Sequence, residues 1–152
     1  MPTLLVRMQV KAGKAARYEE ILRELVKDTK ASEPHCLRYE YWRGAEANAY
    51  YCLLSFTDTQ AFYLHQSSEY HEQYLPELLD MFDGFSIEYV DPIERGGAGL
   101  PLTHDTPLPP DAPARMKDAV AKYPIAVQAW WATLRSTEHS PNAVSGTQLS
   151  SR

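Results

Sequence analysis

The spacing of apolar residues predicts four strands and two principal helices in the first 90 residues. Apolar side chains recur at three- and four-residue intervals from Ala15 to Ala31, with charged residues between them, which is typical of an amphipathic helix. A second helical pattern runs from Asp58 to Phe82, and Ser67 and Ser68 are expected to break it because serine favours the first position of a new helix. The strand-like runs, rich in aliphatic and aromatic residues, are 3–10, 36–43, 49–56 and 84–90.

The order strand, helix, strand, strand, helix, strand predicts an α+β fold of the ferredoxin-like type. Such a fold has a four-stranded antiparallel sheet with both helices on one face. If the hairpin turn centres near Glu46, Tyr41 faces Tyr51 on one side of the sheet and Trp42 faces Tyr50 on the other. Both faces then carry large apolar groups, but the helices cover only one of them. We therefore predict a homodimer in which two sheets pack face to face.

The composition changes after Pro92. Six of the eleven prolines lie between positions 92 and 113, which is typical of an extended linker and not of a second domain. Helical character then returns, and Trp130 and Trp131 are expected either to anchor this segment or to cover a pocket. The predicted organisation is a domain over 1–93, a linker over 94–113, a helical extension over 114–135 and a disordered tail over 136–152.

Charge and hydropathy exclude two classes of partner. The net charge of −5 and the absence of a Lys/Arg cluster argue against nucleic acid. No apolar run approaches the roughly 20 residues that span a membrane, and MPTLLVRMQV lacks the basic start of a signal peptide. We therefore expect a cytoplasmic protein. Cys36 and Cys52 fall on neighbouring strands but about four residues out of register, so we expect two reduced thiols.

His65 and His71 are the most conspicuous candidates for site chemistry. Six residues along a continuous helix rotate by about 600°, which leaves the two side chains about 120° apart. A shared metal would require i, i+4 spacing, so we predict no metal site, and only a break at Ser67 and Ser68 would bring the rings together. For His65 two roles stay open: an acid–base group lining a pocket, or a hydrogen bond that ties the helix break together. His71 is expected to face solvent.

Residues 3–93 resemble the antibiotic biosynthesis monooxygenase (ABM) family, whose fold is the dimeric α+β barrel. The resemblance lies in VRMQVKAGKAARYEEILRELV, EPHCLRYEYWR and YYCLLSFTDTQAFYLHQSSEYHEQYLPEL. The second stretch is similar to the family motif E-P-G-C-L-x-Y, with His35 in place of the glycine. The third is similar to A-x-x-x-H-x-x-S-x-x-H. The segment from 94 to 152 lies outside the family pattern.

The resemblance implies a cofactor-free monooxygenase, an oxidoreductase that acts on a small aromatic or polyketide-type substrate. In such enzymes the deprotonated substrate itself reduces O₂, so the protein needs an apolar cleft, a base and a hydrogen-bond donor, but no metal or organic cofactor. We expect His65 and Tyr51 to be catalytic. The side chains expected to bind substrate are Tyr39, Tyr41, Trp42, Phe56 and Arg7. Which face of the sheet lines the pocket stays open.

Three alternatives accompany this expectation. Relatives on the same barrel catalyse polyketide cyclisation or isomerisation with a His/Tyr pair. A dimeric small-molecule-binding protein without catalysis would use the same fold. The haem-degrading branch of the family uses an Asn on the first strand and a Trp on the third, where this chain has Arg7 and Phe56, and this departure argues against haem.

Overall fold

The computed structural model describes residues 2–93, 100, 107–125 and 128–131. The elements are β1 (Thr3–Val10), α1 (Ala15–Ser32), β2 (Cys36–Arg43), β3 (Ala49–Phe56), α2 (Thr59–Gln66), α3 (Glu69–Asp80), β4 (Phe82–Val90) and α4 (Ala114–Lys122). The strands form one antiparallel sheet in the order β2-β3-β1-β4. The predicted ferredoxin-like α+β fold is therefore confirmed. Among the described residues, no helix is long and apolar enough to cross a membrane.

The core lies between the helices and one face of the sheet, which we call the inner face. Side chains alternate along β1, so that Leu4, Val6 and Met8 are buried on the inner face while Leu5 and Arg7 are exposed on the opposite, outer face. The apolar stripe of α1 packs onto the inner face through Tyr18, Ile21, Leu22 and Leu25. These are the positions that the helical periodicity predicts.

The second helical region is interrupted, as the two serines predict. The carboxylate of Asp58 accepts a hydrogen bond from the backbone N–H of Ala61 at 2.8 Å and so begins α2. The chain leaves α2 at Ser67, and Ser68 precedes the first residue of α3. The hydroxyl of Ser68 donates to the carbonyl of His65 at 2.8 Å, which closes the break with a local hydrogen bond.

The register of the hairpin differs by one residue from the predicted register. Tyr41 pairs with Cys52, and Trp42 pairs with Tyr51. In the turn Asn48 adopts a left-handed conformation with φ of 60°, and the pairing also shifts by a residue between Cys36 and Arg38. Because side chains alternate along a strand, a shift of one residue exchanges the faces. Tyr41 therefore lies on the inner face, whereas Tyr51 and Trp42 lie on the outer face.

The two cysteines are free, as predicted. Cys36 is opposed by Phe56, four positions along β3 from Cys52. Separation along the strands therefore keeps the two thiols apart.

The C-terminal extension contains α4, which packs against the domain. Met116 and Ala119 are buried in the same core as the inner face of the sheet. Further along, Trp131 is buried whereas Trp130 is 63% exposed, and the predicted role of the pair as an anchor or a pocket cover stays a prediction. Most of the predicted linker and the predicted disordered tail lie outside the described residues.

Candidate functional site

A cavity of about 380 Å³ lies between the helices and the inner face of the sheet. Aliphatic and aromatic side chains from β1, α1, α3 and β4 form most of its wall. A small apolar cavity with a few polar groups is the usual form of a small-molecule site. The polar side chains on the wall that concern the chemistry are Tyr39, Tyr41, His65, His71, Lys122 and Tyr123.

His65 is deeply buried on this wall, with 1% of its surface exposed. Its Nδ1 lies 2.9 Å from Oε2 and 3.2 Å from Oε1 of Glu33, the residue that follows α1. The hydroxyl of Tyr70 donates to the same carboxylate. Among the described residues, Nδ1 is the one ring nitrogen of His65 with a hydrogen-bond partner. Nε2 is therefore the ring nitrogen that is available to form a hydrogen bond with a molecule in the cavity.

His71 lies beside His65. The break between α2 and α3 turns the chain so that the two imidazole rings are 5.2 Å apart. The side chain of His71 is only 14% exposed, so the prediction that it faces solvent is wrong. Burial, and next the proximity of His65, lower the pKa of His71 from 6.5 to about 4. His71 is therefore neutral at neutral pH.

Tyr39 and Tyr41 enter the cavity from β2. The hydroxyl of Tyr41 donates to the hydroxyl of Tyr39 at 3.0 Å, and the ring of Tyr39 contacts the ring of His65 at a centroid distance of 4.9 Å. Burial raises the pKa of both phenols well above the ordinary value. Both side chains are therefore protonated and act as hydrogen-bond donors, not as bases.

The structure brings together three of the predicted site residues: His65, Tyr39 and Tyr41. Phe56 is fully buried, and the centroid of its ring lies 5.3 Å from that of His65. It packs against His65 but does not line the cavity.

The other three predicted site residues, Tyr51, Trp42 and Arg7, lie on the outer face, across the sheet from the cavity. The one-residue shift in the hairpin register places Tyr51 there, whereas Trp42 lies there because it follows Tyr41 on β2 and adjacent residues point to opposite faces. Arg7 is exposed and pairs with Glu46 at 3.4 Å.

Sequence reasoning did not single out three cavity-associated residues, Glu33, Lys122 and Tyr123, and it placed His71 in solvent. Glu33 belongs to the EPHC motif and His65 to the later H-x-x-S-x-x-H motif, 32 residues apart. Each motif is visible in the sequence, but the contact between them depends on how α1 and α2 pack on the sheet. The amphipathic pattern of α4 indicates a docked helix without indicating where it docks. Among the described residues, no group of three or more His, Cys, Asp or Glu side chains could hold a metal ion.

Comparison with known proteins identifies the family. The family model described as "Antibiotic biosynthesis monooxygenase" matches residues 1–77. Among solved structures, a candidate antibiotic biosynthesis monooxygenase from Caulobacter crescentus is 26% identical with a TM-score of 0.58, and the match covers 60% of this chain and 89% of that chain.

Two further structures are similar in fold. A candidate monooxygenase of this kind from Bacteroides thetaiotaomicron is 20% identical with a TM-score of 0.59, covering 66% of this chain and 94% of that chain. Another from Nitrosomonas europaea is 14% identical with a TM-score of 0.57, covering 61% and 99% respectively. A search of curated proteins finds no match. Because the family model covers half of the chain and the fold agrees, this chain belongs to the antibiotic biosynthesis monooxygenase family.

Proposed function

We propose that the protein is a cofactor-free monooxygenase that oxidises a small aromatic or polyketide-type substrate in the cavity, with His65 as the base. The observation that carries the proposal is the position of His65. It is 1% exposed, held at Nδ1 by Glu33, and lines an apolar cavity of about 380 Å³. A base fixed by a carboxylate on an apolar cavity wall is the arrangement that deprotonation of a weakly acidic substrate requires.

The substrate itself supplies the electrons that reduce O₂, so the reaction needs no other reductant. His65 takes a proton from an activated CH₂ group of the substrate, such as the one between the two rings of an anthrone. The resulting carbanion gives electrons to O₂ and forms a carbon–oxygen bond, and the peroxide product takes up a proton. Loss of water then leaves a C=O group, so that one oxygen atom enters the substrate and the other becomes water.

The side chains around His65 assist this step. The Glu33 carboxylate balances the positive charge that His65 acquires. Tyr39 accepts a hydrogen bond from Tyr41, so its own hydroxyl proton is free to stabilise the oxyanion of the deprotonated substrate. The apolar wall keeps water away from the carbanion.

We propose that the working unit is a homodimer joined through the outer faces of the two sheets. The family is commonly dimeric, and the outer face exposes Leu5 at 39% and Trp42 at 59%. Tyr51 and Arg7 share this face and would belong to the dimer interface, not to the cavity.

The test is oxygen uptake with a hydroxyanthrone as the probe substrate, in buffer treated with a chelator. We expect the protein to consume one O₂ for each anthrone oxidised, and His65→Ala to lower kcat by about 10²- to 10⁴-fold, the usual contribution of a general base. Tyr51→Phe, on the outer face, serves as the control and should retain the activity. Full activity of His65→Ala would refute the assignment of the base.

The same assay separates the alternatives. A cyclase or isomerase would convert a polyketide-type substrate without taking up oxygen. A binding protein would retain the anthrone with no turnover in either the wild type or the variant.

A further inference from the structure

We propose that Lys122 and Tyr123, at the end of α4, are specificity-determining residues that close the cavity and select a ligand by its size and charge. The inference rests on the proposed function in so far as the cavity is the substrate site. It extends that function by assigning a role to the C-terminal extension, whose two residues stand on the same cavity wall as His65 and His71.

The extension is held in place at three points. Met116 and Ala119 of α4 are buried in the core. Beyond the helix, the hydroxyl of Tyr89 on β4 donates to the carbonyl of Pro124 at 3.1 Å. The backbone that carries Lys122 and Tyr123 is therefore held on both sides in sequence, by the packing of α4 and by the hydrogen bond to Pro124. This places both side chains at the cavity.

A third attachment comes from Glu72 on α3. Its Oε1 accepts a hydrogen bond from the hydroxyl of Tyr123 at 2.5 Å, and its Oε2 pairs with the ammonium group of Lys122. The ring of Tyr123 lies 5.9 Å from that of His71. The extension therefore reaches the histidine pair directly and forms part of the site.

The pair of Glu72 and Lys122 also sets the charge of this wall. Because the carboxylate compensates the ammonium group, the wall presents hydrogen-bonded but electrically balanced groups to the cavity. His71 beside it is neutral at neutral pH. A neutral phenol or anthrone suits such a wall better than a carboxylate ligand does, because Lys122, the ammonium group on the cavity wall, is already compensated by Glu72.

Lys122 and Tyr123 lie well beyond the part of the chain that the family model matches. The family model ends at residue 77. The structures from Caulobacter crescentus and Nitrosomonas europaea are matched over 89% and 99% of their own chains by about 60% of this one. The extension thus gives this chain a selectivity that the shared barrel does not specify.

The first experiment measures closure without any substrate. Cys52 lines the cavity and is 2% exposed, whereas Cys36 lines a different cavity and provides an internal reference. Each thiol is followed by its reaction with N-ethylmaleimide, using peptide mass spectrometry. We expect Tyr123→Ala to accelerate labelling of Cys52 about tenfold with Cys36 unchanged, and Tyr123→Phe, which keeps the ring, to have little effect.

Two results of this experiment would overturn the proposal. Unchanged labelling of Cys52 in Tyr123→Ala would mean that the extension does not close the cavity. Equal acceleration at both cysteines would show general loosening of the fold. Because no turnover is measured, closure is decided even if the protein proves not to oxidise anthrones.

The second experiment measures charge selection by calorimetric binding of 2-naphthol, which is neutral, and 2-naphthoate, which is anionic. Glu72→Gln keeps the shape of the side chain but leaves Lys122 uncompensated. Because both side chains are partly exposed to solvent, we expect it to shift the affinity ratio toward naphthoate by about threefold. Adding Lys122→Met should reverse this shift. Lys117→Met, on the same helix but outside the cavity, is the control. An unchanged ratio in Glu72→Gln would refute charge selection, whereas failure of the wild type to bind either ligand would count against the proposed function.

Discussion

The imidazole rings of His65 and His71 lie 5.2 Å apart across the break between α2 and α3. On a continuous helix the same two positions would point about 120° apart. Two imidazolium charges at this distance would repel each other in a buried site. Burial and the proximity of His65 accordingly lower the pKa of His71, which is neutral at neutral pH.

The first prediction concerns the stability of the fold in acid. The folded-state pKa of His71, about 4, lies below the ordinary value of 6.5, so between these values the unfolded chain binds more protons than the folded one. Stability is therefore lost as the pH falls through this range. Between pH 7 and pH 5 this residue should lower the free energy of unfolding by about 2 kcal/mol.

Urea denaturation at both pH values checks this prediction. His71→Gln cannot be protonated, so its free energy of unfolding should fall by about 2 kcal/mol less than that of the wild type over the same interval. His35→Gln, at an exposed position, controls for the loss of any histidine. Equal losses in wild type and His71→Gln would contradict the prediction.

The second prediction concerns Glu33 as a positioning residue for His65. Glu33→Gln removes the negative charge that balances the protonated imidazole, so kcat for the anthrone should fall by about 100-fold while KM changes little. Tyr70→Phe removes the other hydrogen bond to the same carboxylate and should have a much smaller effect. The two kinetic constants, measured separately, provide the check.

A spectroscopic measurement distinguishes positioning from simple damage to the fold. The ¹⁵N chemical shifts of His65 report which ring nitrogen carries the proton. In the wild type we expect the proton on Nδ1, facing Glu33 at 2.9 Å. Glu33→Ala should release that preference. If the tautomer is unchanged in Glu33→Ala, Glu33 does not position His65.

The third prediction concerns the outer face. Leu5 on β1 and Leu64 on α2 are both 39% exposed, but only Leu5 lies on the face proposed to form the dimer. Leu5→Glu should produce monomers, since it places a charge in an apolar interface, whereas Leu64→Glu should not. Sedimentation velocity measures the outcome. A wild type that sediments as a monomer, or a dimer that tolerates Leu5→Glu, would contradict the proposed interface.

The elements and their order could be predicted from the sequence because periodicity reflects which face of each element is buried. The face that carries each aromatic residue of the hairpin could not, because it depends on the exact register of pairing between β2 and β3. The observed register differs by one residue from the predicted one, so Tyr51 lies opposite Trp42 on the outer face and not opposite Tyr41.

Some residues of the candidate site can be recognised from local sequence motifs, whereas others are brought there only by the tertiary fold. His65 is recognisable from its motif and from the helix that carries it. The hydrogen bond between His65 and Glu33 and the contact between Tyr123 and His71 both join segments that are distant in sequence. A single sequence shows that these segments are amphipathic, but not which surfaces they meet.

The fourth prediction concerns the helix that carries His65. The carboxylate of Asp58 accepts a hydrogen bond from the N–H of Ala61 at 2.8 Å, and Asp58→Ala leaves that donor without its partner. The free energy of unfolding should fall by about 1 kcal/mol, as is usual for loss of such a cap. Asp58→Asn retains an acceptor oxygen and should keep most of the stability. Because α2 ends at the break that holds the histidines together, Asp58→Ala should also accelerate amide hydrogen exchange in α2 more than in α1. Uniform acceleration in both helices would show that the cap stabilises the whole fold without a local effect on the site.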